Sequence, residues 1–273
     1  EHPISLSALT KEDILAFYEK ELERVKPSTV KHYHALIHGA LNYAVDKKLI
    51  PNNPADRIII SKPEAFKGDY YLDSEVLRLF EIIKGHKIEL VILLTAFYGL
   101  RRSEVLGLKW DSVDFDAGTI TVKHTVAKVT QIVEKDKTKN KTSRRTFPLT
   151  PDVREMLLDL KRQEDENRRL FCSQYTENNY ILKWDDGRPF APDYVSHRFS
   201  RLLEIYEMPH IRFHELRHSC ASFLLNTGFT LKDVQEWLGH SDIKMTANIY
   251  GHLDVGRKMG MAEKITATLS KLA

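Results

Sequence analysis

A chain of 273 residues exceeds a typical single domain and points to two. With 42% hydrophobic and 29% charged residues, and no apolar run near the roughly 18 residues of a membrane span, it excludes a membrane-spanning helix and a disordered chain. A net charge of +3 does not by itself announce a polyanionic partner, and two cysteines, Cys172 and Cys220, exclude a disulfide framework, so a reducing cytoplasm is expected.

The chain opens at Glu1 without a methionine or a signal-peptide pattern, and reads as a fragment or processed form. Thr10 caps an expected helix from Lys11 to Val25, with Ile14, Phe17 and Leu22 on one face. Pro27 and Ser28 open a second, whose Val30, Tyr33, Ile37, Leu41 and Ala44 form an amphipathic stripe. Pro51 and Asn53-Pro54 stop it, and the stretch from Ile58 to Gly68 has no helical period. The boundaries drawn are a helical domain over 1–62, a linker over 63–72 and a larger domain over 73–273.

In the larger domain, helices are expected over Ser74–Lys84, Glu89–Tyr98 and Ser103–Leu108. Alternating segments at Thr119–His124, Val126–Val133 and Arg145–Leu149 predict a small antiparallel sheet. Helices then return at Asp152–Asn167, Asp193–Tyr206, His214–Asn226 and Leu231–Leu238, with a short one ending near Tyr250 and a last one from about Asp254 to Leu272. Gly228 and Gly239 fall where C-caps are expected. The fold class is mainly α with a small antiparallel β-sheet.

Charge is unevenly distributed. Between Lys123 and Arg145 eight Lys and Arg face only Glu134 and Asp136, enough to neutralise phosphates or, equally, to guard a solvated hairpin edge. Four segments could carry chemistry. Gly99-Leu100-Arg101-Arg102-Ser103-Glu104 follows an apolar helix; read alone, Arg101 and Glu104 make an ordinary i, i+3 pair. Lys139-Asn140-Lys141-Thr142-Ser143-Arg144-Arg145 puts lysines in a turn between strands, where one can serve as a general acid or simply sit in water. His214-Glu215-Leu216-Arg217-His218 satisfies the H-E-x-x-H zinc-protease pattern, with Glu236 as a conceivable third ligand. It equally offers a proton-shuttling His214 and a phosphate-gripping Arg217, and the pentapeptide alone does not choose. Last come Leu238-Gly239-His240-Ser241 and, ten residues after that histidine, Tyr250.

Taken in order, Gly-Leu-Arg-x-x-Glu, a Lys turn, His-x-x-Arg, Leu-Gly-His and Tyr resemble the tyrosine recombinase (phage integrase) family over essentially the whole chain. Phe213 to Leu225 and Leu238 to Tyr250 look especially like integrases of phages and conjugative transposons. The resemblance implies a helical core-binding DNA domain over 1–62, lacking at least one helix ahead of Glu1 and any arm-site-binding domain. It implies a mixed α/β, mostly α catalytic domain over 73–273, ending in a helix exchanged between protomers. Arg101 takes the place of the first catalytic arginine, His214 and Arg217 the histidine–arginine pair, His240 the His-or-Trp position and Tyr250 the nucleophile. Lys139 is the expected catalytic lysine, with Lys141 its competitor; Glu104 supports Arg101, and His218 packs beneath the site. Lys137, Lys141, Arg144 and Arg145 are expected to contact DNA.

The implied reaction suits these residue types. Two guanidiniums can grip the nonbridging oxygens of a phosphodiester and stay charged at any working pH. A tyrosine with a free pKa near ~10 needs a proton acceptor such as His214, and the departing deoxyribose oxygen needs a donor such as Lys139. The resemblance further implies double-stranded DNA as partner, four protomers in the synapse, accessory excision or DNA-bending proteins, and no metal, cofactor or membrane. The rivals are a catalytically idle DNA-binding relative and an H-E-x-x-H zinc peptidase.

Overall fold

The computed structural model describes residues 4–60, 69–128, 132–135, 144–240 and 243. Backbone contacts divide the chain into two compact units, Glu1–Lys67 and Gly68–Ala273.

The first unit is built on α1 (Lys11–Leu22) and α2 (Pro27–Asp46). Thr10 and Asp13 cap α1 reciprocally, through Asp13 N–H to Thr10 Oγ1 at 3.2 Å and Thr10 N–H to Asp13 Oδ2 at 2.9 Å. The helix stops at Leu22 rather than Val25, because Pro27 forces Lys26 into an extended conformation. Ile14 and Tyr18, not Phe17 and Leu22, are the buried residues of α1. They pack with Val30, Leu41 and Ala44 of α2 and with Ile50, Ala55 and Ile58 beyond it. Asn53 fastens that return: its amide donates to Asn42 Oδ1 at 2.7 Å and its Oδ1 accepts from Ala55 N–H at 2.8 Å.

The second unit runs α3 (Asp73–Ile82), α4 (Glu89–Tyr98), α5 (Arg102–Val105), β1 (Val113–Asp114), β2 (Thr119–Thr121), β3 (Thr125–Lys128), β4 (Ile132–Lys135), β5 (Thr146–Pro148), α6 (Pro151–Phe171), α7 (Pro192–Ile205), α8 (Leu216–Asn226) and α9 (Leu231–Leu238). It is mostly helical, as expected. The antiparallel sheet has the order β1-β2-β5, with Val113 opposite Ile120 and Ile120 opposite Phe147. The segment expected as one strand over Val126–Val133 is instead a hairpin, β3 pairing with β4 in the register Val126 opposite Glu134. Its alternating residues suit either reading, and sequence periodicity does not mark where a strand reverses.

α4 is apolar nearly all round and lies in the main core, where Leu90, Val91, Ile92 and Leu94 are sealed from water. A smaller core joins α8 to α9 through Cys220, Ala221, Leu225, Val234 and Leu238. α4 ends on Gly99 and α9 on Gly239, both left-handed. The helix expected from His214 begins as a 3₁₀ turn, Phe213–Glu215, and becomes α-helical only at Leu216. Among the described residues no helix is long and apolar enough to cross a membrane.

Candidate functional site

The site forms where the left-handed ends of α4 and α9 meet the start of α8. Gly99 turns the chain out of the core so that Arg101 immediately precedes α5; a β-carbon at Gly99 would overlap the Leu238 side chain. Glu104, on α5, is 2% exposed. It accepts from the Arg101 backbone N–H at 2.9 Å and from Arg101 Nη1 at 2.7 Å. Its other ion pair, with Arg145 Nη2 at 2.6 Å, is the more enclosed of the two. Arg217 Nη1 lies 4.0 Å away, so one carboxylate serves three guanidiniums. Burial pushes the Glu104 carboxyl up, but Arg145 and then Arg101 more than offset this and hold it below its ordinary value.

Arg217, at the start of α8, is 1% exposed. Its Nη1 donates to the Gly99 carbonyl at 2.5 Å, its Nη2 to the Leu238 carbonyl at 2.6 Å and its Nε to His240 Nε2 at 3.3 Å. The two carbonyls belong to helix C-termini, where partial negative charge favours a cation. Burial, then the charge of Arg101, lowers the Arg217 pKa to about 9, still protonated at neutral pH. The His240 backbone is fixed by Gln235: its N–H donates to the Gln235 carbonyl and its carbonyl accepts from Gln235 Nε2, both at 3.0 Å. Burial and the neighbouring Arg217 and Arg101 push its pKa down to about 3, so the ring is neutral; accepting at Nε2, it carries its proton on Nδ1.

His214 sits on the 3₁₀ turn at the rim of a cleft of about 610 Å³, also lined by Arg101, Arg102, Ser196, Ser200 and Arg212. Desolvation, then coupling to the His218 ring and the charges of Arg217, Arg101 and Arg212, lower its pKa to about 4, although its edge is exposed. His218 lies edge-on to it with ring centroids 5.6 Å apart. The arrangement does not suit zinc. Glu215 is turned away to cap Arg212, accepting from Nη2 at 2.7 Å, and among the described residues no three His, Cys, Asp or Glu side chains are gathered as ligands.

Sequence reasoning thus named Arg101, Glu104, His214, Arg217, His218 and His240, and all six lie in this one region. Arg145 differs from expectation. Read as a DNA contact, it is buried, bound to Glu104 and to the Leu238 carbonyl, and stacked over Phe147 with its guanidinium carbon 5.7 Å from the ring centre. The signal was present in the alternation: Phe147 points inward, so Arg145 two residues earlier does too, while Arg144 faces outward. Lys137, Lys139, Lys141 and Tyr250, with the helices expected near Tyr250 and after Asp254, lie outside the described residues.

Comparison with known proteins places the chain. The phage integrase family model matches residues 71–257. The chain belongs to this family. A tyrosine recombinase XerC-like protein of Caldanaerobacter subterraneus subsp. tengcongensis is 30% identical over 281 residues, covering 96% of this chain and 72% of that one. The ICEBs1 integrase of Bacillus subtilis is 23% identical over 265 residues, covering 95% and 71%. Among solved structures, the Tn1549 transposon integrase in complex with a circular intermediate DNA superposes with a TM-score of 0.76 at 20% identity, over 95% of this chain and 86% of that one. A lambda integrase dimer bound to a COC′ core site gives 0.66 at 19% identity, over 91% and 82%. These likenesses carry the fold; the family and the sequence relatives carry the activity. This integrase-family chain is a site-specific DNA recombinase of the tyrosine type.

Proposed function

We propose that this recombinase breaks and rejoins double-stranded DNA through a covalent bond to Tyr250, with Arg101 and Arg217 binding the scissile phosphate. The observation that carries this reading is the convergence of Arg101, His214, Arg217 and His240, from three separate stretches of chain, around Glu104 and beside one cationic cleft. Attack by the Tyr250 oxygen forms the new bond to phosphorus and breaks the bond to the 5′ oxygen, leaving a 3′-phosphotyrosine and a free 5′ hydroxyl. Charge builds on the nonbridging oxygens, where donors fixed in advance are often worth about 3–4 kcal/mol each. Neutral His214 takes the phenol proton; a bound phosphodiester offsets the cations around it and raises its affinity for that proton. Lys139, or Lys141 in its place, protonates the departing oxygen. His240 keeps the Arg217 fork in register through Nε2. The covalent bond conserves the energy of the one broken, so resealing to another strand needs no nucleotide.

The finer assignments follow from the same reading. Residues 1–62 act as the core-binding module, 63–72 as linker and 73–273 as the catalytic domain, working in the cytoplasm. Lys137, Lys141 and exposed Arg144 contact the DNA backbone. A lambda integrase neighbour was solved as a tetramer on a Holliday junction, which supports four protomers here, linked by the segment from about Asp254 to Leu272. Accessory proteins would bias integration against excision of a mobile element.

The test is covalent trapping on a nicked half-site duplex taken from DNA flanking the chain's own gene. Wild-type protein should give a protein–DNA adduct unaffected by EDTA. Tyr250→Phe should give none while binding as tightly, and Arg101→Lys should bind yet cleave about 10²–10³-fold more slowly, because an ammonium lacks the planar fork. An adduct that persists in Tyr250→Phe would show the nucleophile to be another residue.

A further inference from the structure

We propose that Arg145 is a positioning residue of the recombination site: it locks Glu104 and the end of α9 into the geometry that holds Arg101 and Arg217. The inference rests on the reading that Arg101 and Arg217 bind the scissile phosphate.

Four contacts define the role. Arg145 Nη2 binds the Glu104 oxygen Oε2, the same atom that accepts from the Arg101 backbone N–H. Its Nη1 donates to the Leu238 carbonyl, the same oxygen that accepts from Arg217 Nη2. Arg145 therefore shares one acceptor with each of the two catalytic candidates. Its planar group stacks over Phe147, which lies 4.9 Å from the Trp237 ring of α9. Finally, Gly239 leaves room for it: a β-carbon there would overlap the guanidinium, and the Arg145 Cδ would lie at 2.9 Å. Both terminal nitrogens of Arg145 are thus committed to Glu104 and to the Leu238 carbonyl, and the residue is 8% exposed.

The chemistry asks for such a group. Without Arg145, the short contacts to Glu104 would come from Arg101 alone, its Nη1 on Oε1 and its backbone N–H on Oε2. Arg145 adds a second, buried ion pair at Oε2, the oxygen that also lies 4.0 Å from Arg217 Nη1. It also ties the helix end bearing His240 to β5, the strand that leads out of the lysine-rich segment. A misplacement of about 1 Å at such a site can cost about 10²-fold in rate. Lysine cannot replace it, because one ammonium does not span both the carboxylate and the carbonyl in a fixed plane.

The test uses the full chain and the nicked half-site, with adduct formation measured at saturating DNA and binding measured separately. Arg145→Met should slow adduct formation by about 10²-fold with the DNA dissociation constant and its salt slope unchanged. Arg145→Lys should recover only part of the rate. Glu104→Gln with Arg145→Met should be no slower than the slower single variant, because both break one network. If Arg145→Met does not fold, Arg145→Lys carries the test: a rate equal to wild type overturns the proposal. So does a variant with lower melting temperature but an unchanged rate, or one whose salt slope falls by about one, the mark of a lost phosphate contact. A wild-type chain that binds the half-site without forming an adduct overturns the parent reading instead.

Discussion

About a third of the Arg101 side chain remains in contact with solvent (34%), whereas Arg217 is sealed among two helix-end carbonyls and His240. The exposed guanidinium lines the cleft and can meet an incoming anion first; the enclosed one is preorganised and low in proton affinity for an arginine. The histidines work in the same sense. His240, pushed down to about 3 by burial and then by Arg217, is neutral in the folded protein but titrates near its ordinary ~6.5 when unfolded. The unfolded chain therefore binds the extra proton between those values, and stability present above pH ~6.5 is lost as pH falls toward 3. His240 alone should cost about 2 kcal/mol between pH 7.5 and pH 5. Denaturant titrations at the two pH values should show this loss, and His240→Gln should reduce it. Equal pH dependence in the variant would place the titrating group elsewhere.

At the scale of elements, the site depends on how helices end. α4 and α9 both close on left-handed glycines, and their terminal carbonyls, from Gly99 and Leu238, hold Arg217. Gly239→Ala should therefore do double damage. The left-handed conformation costs about 1 kcal/mol for alanine. The new methyl also displaces Arg145, so adduct formation should fall further than the loss of stability explains. Gly118→Ala, at a similar φ of +62° and with nothing within 4 Å of a β-carbon, is the control for backbone strain alone. Similar rates for the two variants would mean that the Arg145 contact is dispensable.

At the scale of the molecule, each unit has its own apolar core: among the described residues, eight buried ones around Ile14 and Val30 in the first, and a far larger set around α4 in the second. A core of two helices is marginal by itself, while the larger one suffices for an independent domain. A fragment spanning residues 68–273 should thus melt cooperatively within a few degrees of the full chain's main transition. The fragment 1–67 alone should show weak helicity and no sharp melt. Calorimetry on both decides it; a fragment 68–273 without a transition would mean that the first unit completes the second's fold.

Much was legible from local pattern. The stripe of α2, the apolar α4, the Thr10 cap and the Gly239 C-cap act within one or two helical turns, so the order of residues suffices to place them. The motif residues Arg101, Glu104, His214, Arg217 and His240 were named through the resemblance to the tyrosine recombinase family that their order carries. What the chain order could not decide was the environment of each charge. Arg145 and Arg144 are adjacent and chemically identical, yet one is buried and the other faces water, because Glu104 and Leu238 arrive from 41 and 93 positions away. Nor could it decide that His214 stands on a 3₁₀ turn with Glu215 claimed by Arg212, the geometry that parts this site from a zinc pentapeptide. Periodicity and caps are short-range and survive in the sequence; desolvation and charge balance are long-range sums, and only the folded chain performs them.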